Sequence, residues 1–450
     1  MIAKALNLYK SLGILRPADM PLIARYTFRR HIAAAVIDGF LLGGFINALA
    51  DMVLKRALSA TDFQIALFTM LAPIAMVFSM HWASYIKGRD KGPFFLIAGV
   101  FGRLVLLLML FCHTASYYIA IMGVYWLFNT LLIPTMNNIV QNNYPAHLRG
   151  QIFGTVAAVG MAASLPMAVL SGKLLEYDEN VFRWAFALAG VIGFFSVLIL
   201  KSIRIRHRPV AEGEVCPLPE RPAYFEHYRY AHVLAFLDRA AVAPVKETIK
   251  LFADNPLYAK FEAAFMIYGF GFMVILPALP KWFDEVLKMR YDDISLARTV
   301  AAGVCMILFS QLMGKLMDRT NPIKFCAYTF AVLVLYPLFI VLIPSQFGVY
   351  AGFVAFGIGM VGVNLAWNLS SIYFAGDSEV SQFMGAHATL VGFRGTLGPL
   401  IGFIVMRYFP ISVVFYLSAA FFALASIQMT RLHRENRRKE RAAAAAQAAA

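Results

Sequence analysis

Twelve apolar runs recur along the chain with short polar breaks between them. Each is close to the roughly 20 residues that a tilted helix needs to cross about 30 Å of hydrocarbon. Their expected bounds are 32–54, 62–86, 94–113, 115–141, 150–175, 182–204, 260–283, 293–317, 324–343, 347–374, 383–408 and 411–430. Helix is the predicted element throughout, because a segment in lipid has to satisfy its own backbone hydrogen bonds. The one long polar interruption falls between the sixth and seventh runs. Its first part, RIRHRPVAEGEVCPLPERP, has the Pro, Glu and Arg content of a linker, and its second, YAHVLAFLDRAAVAPVKETIKLF, has helix-like apolar spacing. The expected organisation is a cytoplasmic lead-in at 1–30, six spans in 31–204, a cytoplasmic linker at 205–259, six spans in 260–430, and a basic, Ala-rich tail at 431–450. The lead-in has no apolar core of signal-peptide length, so it is expected to be retained.

An even number of spans puts both ends on one side of the membrane, and Lys and Arg decide which side. They collect in the lead-in, the 86–94 loop, the linker, the 317–324 loop and the tail (Arg431, Arg434, Arg437, Arg438, Lys439, Arg441). The alternate loops are poorer, although Lys281 to Arg298 mixes signs. Both termini are therefore expected in the cytoplasm of a bacterial inner membrane, with the basic loops against anionic headgroups. The composition, 60% hydrophobic and 14% charged, excludes an ordinary soluble domain. The net charge of +15 could suggest nucleic acid, but the basic residues lie in loops rather than along one helical face, so no nucleic-acid partner is expected. Nine His and four Cys show no metal-ligand spacing, and no nucleophile–base set or phosphate-binding glycine loop is present. Neither cofactor nor enzymatic activity is expected, and ATP is not the expected energy source.

The most informative loop is Gly314 to Phe325, GKLMDRTNPIKF. Gly314 is expected to let two helix backbones approach, Asp318 to accept hydrogen bonds from a neighbouring helix N-terminus, and Arg319 and Lys324 to stay with water and headgroups. This loop resembles the G-x-x-x-D-R-x-G-R-R/K signature of the major facilitator superfamily, with Asn321 and Pro322 departing from it. The first-half copy falls in HWASYIKGRDKGPFFL, where Gly88 and Arg89 match while His81 and Tyr85 replace the Gly and Asp. The two loops belong to a repeat: Gly88 aligns with Asn321 and Pro166 with Pro399, and 321 − 88 = 399 − 166 = 233. IDGF at 37–40 is echoed by IYGF at 267–270, a shift of 230. The resemblance implies an all-α membrane protein of two pseudo-symmetric six-helix bundles. It further implies secondary active transport of a small organic solute by alternating access, by a monomer. A non-transporting sensor or assembly partner that keeps the fold is the other reading. Abundant Phe, Tyr and Met lean towards an amphipathic or aromatic solute, and towards efflux.

By the same resemblance, helices 1, 4, 7 and 10 should line the cavity. In the tenth span Asn364, Trp367, Asn368 and Ser371 share one face; in the fourth Thr135, Asn138 and Asn142 do, and 135 + 233 = 368. Either solute contact or helix–helix hydrogen bonding would account for them. Asp38, in AAAVIDGFLLGG, is the acid placed to carry a coupling proton, unless it is one half of a structural ion pair. Tyr268 stands at its place in the second copy and joins the cavity candidates. Arg394 in GFRGTLGPLIG would meet an anionic group of the solute, a carboxylate or backbone carbonyls, and Arg103 is expected to be structural. Asp318 is expected to latch the helix start at Arg149.

Overall fold

A computed structural model describes residues 20–86, 90–145, 148–204, 243–375 and 380–449, and among them every regular element is a helix. Eleven of the described helices are long and apolar enough to cross a membrane, and Asp62–Phe78 is a shorter apolar stretch within a twelfth. In chain order they are α1 (Leu22–Arg56), α2 (Asp62–Ile86), α3 (Gly92–Phe111), α4 (Ala115–Asn129 continued by Leu132–Asn143), α5 (Arg149–Tyr177) and α6 (Val181–Lys201). The short connecting helix Ala243–Asp254 leads to α7 (Pro256–Val286), followed by α8 (Tyr291 to Arg319), α9 (Pro322–Leu342), α10 (Gln346–Ala375), α11 (Val380–Tyr408) and α12 (Ser412–Ala449).

The helices depart from the expected runs where local chemistry extends or breaks them. α1 starts about ten residues early because Ala24 and Phe28 bury against Tyr144, Ile152 and Val156, so the polar ARYTFRR stretch carries an apolar side with a place to pack. Within α1 the α-helix ends at Asp38 and an eight-residue π segment, Gly39–Ile46, follows. At the start of that segment α1 crosses α5 so closely that a Cβ on Gly39 would collide with the Gly160 carbonyl, so only glycine fits. α3 leaves the α-helix at Arg103 (φ −124°, ψ −59°) and continues as a tighter 3-10 segment, Leu104–Phe111. α12 runs on to Ala449 because its Ala-rich end is the strongest helix-forming composition in the chain.

The chain divides into two compact units, one of Met1–Ala50 with Phe78–Tyr228 and the other of Asp51–Val77 with Arg229–Ala450. The last turns of α1 and the first half of α2 thus belong with the second half of the chain. In both units large side chains such as Phe111, Trp184, Phe195 and Leu308 are exposed, as a lipid-facing surface requires. The linker expected at 205–259 lies outside the described residues up to 242, and so do most of the lead-in and Gly88, Arg89 and His147.

Candidate functional site

In the second unit, α7 and α11 face each other along a seam of charged and aromatic side chains. Glu262 and His387 are 125 residues apart in sequence, yet both carboxylate oxygens lie within hydrogen-bond distance of the imidazole Nδ1, at 3.0 and 2.9 Å. Both side chains are only 2% exposed. The His387 Nε2 atom is buried with no hydrogen-bond partner among the described residues. Aromatic rings close the pair in: Trp367 of α10 meets His387 edge to face at 4.3 Å, and Phe265 does so at 5.0 Å. Helical periodicity builds this arrangement, because Glu262, Phe265 and Gly269 share one face of α7 while His387, Val391 and Arg394 share one face of α11.

Two turns along the seam, Arg394 is buried and donates Nη1–H to the Phe265 carbonyl oxygen at 2.7 Å. Its guanidinium stands over the rings of Phe265 and Tyr268, at 5.5 and 5.4 Å. Gly269 makes the room, since a Cβ there would run into the Arg394 side chain at Nε. Tyr268 in turn stacks on Phe330 at 4.6 Å and points its hydroxyl at Met360 Sδ, 4.0 Å away. Of the partners considered for Arg394, the structure supplies the backbone carbonyl. A buried guanidinium against two aromatic faces is an electrostatically favourable but incomplete substitute for a counter-ion.

At the far end of α1 the same unit holds a dense set of ion pairs. Arg298 reaches both oxygens of Asp51, at 2.6 and 2.8 Å, from a π segment of α8, Leu296–Ala301. Lys55 pairs with Glu285, Arg56 with Asp284 and with the Met289 carbonyl, and Lys281 with Asp62. Four of the charged groups between Lys281 and Arg298 are thus matched by opposite charges on α1 and at the start of α2.

The first unit contains another charge cluster, with Arg103 buried and Asp38 partly exposed. Arg103 Nη2 lies 3.4 Å from Asp38 Oδ2 and Nη1 lies 3.3 Å from the Tyr125 hydroxyl, while Ser196 donates to Asp38 Oδ1 at 2.6 Å. Gly193 of α6 leaves space for the arginine side chain, its Cβ position being 3.3 Å from Arg103 Cδ. Asp38 thus has the cation nearby that a structural ion pair needs.

A model of the Major Facilitator Superfamily matches residues 32–399. The chain belongs to the major facilitator superfamily. It is accordingly a multi-pass membrane transporter and not an enzyme. A proton-coupled antiporter flippase, LtaA, of Staphylococcus epidermidis is 23% identical over 278 residues, 60% of this chain and 68% of that protein. Among solved structures, a bacterial homologue of the human drug peptide transporters PepT1 and PepT2 is 13% identical with a TM-score of 0.67, over 92% of this chain and 99% of that one. The nucleoside transporter NupG is 11% identical with a TM-score of 0.62, over 90% of this chain and 99% of that one. At these identities the likeness to solved structures is one of fold.

The superfamily loop positions fare unevenly. Arg149 donates Nε–H to the Tyr144 carbonyl, so it braces the turn from α4 into α5. Among the described residues, nothing beyond Gly314's own stretch of helix lies within 4 Å of its Cβ position. Arg319 ends α8 exposed, and Asn321 caps α9 by accepting from the Lys324 amide at 2.8 Å, which gives the departure from the superfamily glycine a local role. The Asp318 side chain lies outside what the structure describes, as do those of Asn138, Asn368 and Ser371. On the expected polar faces, Thr135 is buried and donates to the Leu131 carbonyl of its own helix, Asn364 is exposed and Trp367 is half-buried. In the loop of the degraded copy, Lys91 donates to the Ile86 carbonyl and so finishes α2; burial pushes its ammonium below the usual lysine range, with Asp90 opposing. Sequence reasoning passes over Glu262 and leaves His387 without a partner. Glu262 sits three residues into a run as though at its boundary, and His387 has no histidine or acid near it in sequence. An acid within an apolar run, here KFEAAF, is the one available signal.

Proposed function

We propose that this chain is a proton-coupled secondary transporter that moves an amphipathic organic solute by exposing it alternately to the two sides of the membrane, export being favoured over uptake. The observation that carries the reading is the closed Glu262–His387 pair. A carboxylate facing a neutral imidazole carries one net negative charge; a proton taken up at Nε2 when that atom is reached, with the ring's other proton held at Nδ1 or passed to the carboxylate, leaves the pair without net charge. Asp38 is less suited to the same task, because its partner Arg103 is a cation that cannot give its proton away. Aromatic walls around the pair keep water out until the helices shift, which is what coupling requires of a carrier site. The similarity to a proton-coupled antiporter flippase supports both the coupling and the amphipathic solute. The same reading has both termini on the cytoplasmic side, where the excess of Lys and Arg in the basic loops favours them.

The test uses purified protein in proteoliposomes with a pH-sensitive dye trapped inside. Short-chain fluorescent lipids, dipeptides and nucleosides, the solute classes suggested by the similar proteins, are added in turn. The native chain should move protons with one of these classes, and Glu262→Gln should still bind that solute while losing the proton flux. Native-rate proton flux in Glu262→Gln would dismiss the pair as carrier, and absence of solute-driven flux for every class would dismiss the function.

A further inference from the structure

α12 is 38 residues long, about 57 Å at 1.5 Å per residue, whereas about 20 residues cross the hydrocarbon. Its apolar part buries Met429 and Leu432 in the second unit, and from Arg431 onward the helix carries six cations (Arg431, Arg434, Arg437, Arg438, Lys439, Arg441) against two acids, Glu435 and Glu440. Arg431, Arg434 and Arg438 follow i, i+3, i+7 spacing and border one hollow of about 350 Å³ together with Glu435 and Lys439. Glu435 is already taken: Lys260 of α7 reaches its two oxygens at 2.9 and 3.1 Å, and Lys439 reaches it at 3.3 Å. Among the described residues the three arginines have no acidic partner. The extension is held in place at the same level by the contact of His433 with Asn321, 3.3 Å.

We propose that the Arg431–Arg434–Arg438 face of α12 receives the phosphate of an anionic membrane lipid. The argument is one of charge and position. Three guanidiniums share a face, their one nearby acid is engaged by lysines, and they begin where the helix leaves its apolar partners, at the depth of lipid headgroups. Arginine forks match phosphate oxygens, and headgroups are present there at a concentration no soluble anion reaches. The site communicates with α7, because a phosphate that draws on Lys439 changes what Glu435 offers Lys260, two residues before Glu262. Lipid binding itself does not depend on the proposed transport reading; only this link does.

The experiment uses the full chain in a neutral detergent, with phosphatidylglycerol or phosphatidylcholine added, and reads lipid retained by native mass spectrometry alongside thermal unfolding. Phosphatidylglycerol should be retained and should raise the unfolding temperature, and Arg434→Gln/Arg438→Gln should bind it roughly tenfold more weakly. Lys201→Gln/Arg204→Gln, which removes the same charge at the exposed end of α6, should keep native binding, and both variants should unfold like the native chain without lipid because the altered residues are exposed. Equal loss in the two variants, or equal retention of phosphatidylcholine, would overturn the site. Equal protection by millimolar inorganic phosphate would make it a free-anion site and overturn the lipid assignment.

Discussion

Asp51 and Arg298 are joined by two parallel hydrogen bonds of 2.6 and 2.8 Å, with both side chains largely withdrawn from solvent. The geometry is the bidentate one in which guanidinium and carboxylate attract most strongly, and Phe283 covers the guanidinium at 5.2 Å. Removing one partner leaves the other charge buried and alone, a loss of about 3–5 kcal/mol. Asp51→Asn and Arg298→Gln should each lower the unfolding temperature clearly. The double variant should be less destabilised than the sum of the two, by about 1–3 kcal/mol. Additive losses would mean that the pair holds nothing together.

Asp38 separates a structural from a coupling role by a different route. Its carboxylate receives Ser196 and Arg103 at once, so Asp38→Asn keeps the shape and removes the charge that compensates Arg103. The expected outcome is reduced thermal stability with the ratio of protons to solute unchanged in proteoliposomes, and partial recovery of stability in Asp38→Asn/Arg103→Gln. A variant of native stability that moves solute without protons would shift the carrier role from Glu262 to Asp38.

The membrane spans were legible in the sequence because lipid imposes a length and a composition on each, and α2 begins and ends at the expected residues, 62 and 86. What resisted reading is how buried charges are matched. Asp51 is an acid within the first apolar run, and nothing near it in sequence points to its partner, which lies 247 residues on. Arg394 was visible as an arginine deep in an apolar run, yet which of its three possible partners it takes depends on Gly269 opening a gap on another helix. Helix breaks at Arg103 and Gly39 were equally hidden, since no proline marks either place in its run.

Gly269 predicts its own intolerance. An added Cβ would collide with Arg394 at Nε, Cδ and Cζ, the middle of a fixed side chain rather than a free end. Gly269→Ala should therefore cost about 1–3 kcal/mol of stability, the usual penalty of an overfilled contact. The same change made in an Arg394→Met background should cost markedly less, because a flexible thioether can move aside. Equal costs in both backgrounds, measured by denaturant or thermal unfolding in detergent, would show that the arginine does not occupy the space that glycine leaves.

Trp367 stands between the half-exposed side of α10 and the buried imidazole, its ring 4.3 Å from that of His387. If the indole is what shields the pair, the reactivity of His387 towards diethyl pyrocarbonate reports on it directly, since the reagent needs an accessible ring nitrogen and Nε2 is the one not facing Glu262. The native chain should label slowly at His387 and Trp367→Ala several-fold faster, while Trp367→Phe, which keeps a ring in place, should stay near the native rate. Peptide mass spectrometry after a timed exposure gives the comparison residue by residue, with the partly exposed His433 of α12 as an internal standard. Unchanged labelling of His387 in Trp367→Ala would place the barrier elsewhere in the aromatic wall, on Phe265, and remove α10 from the control of proton access.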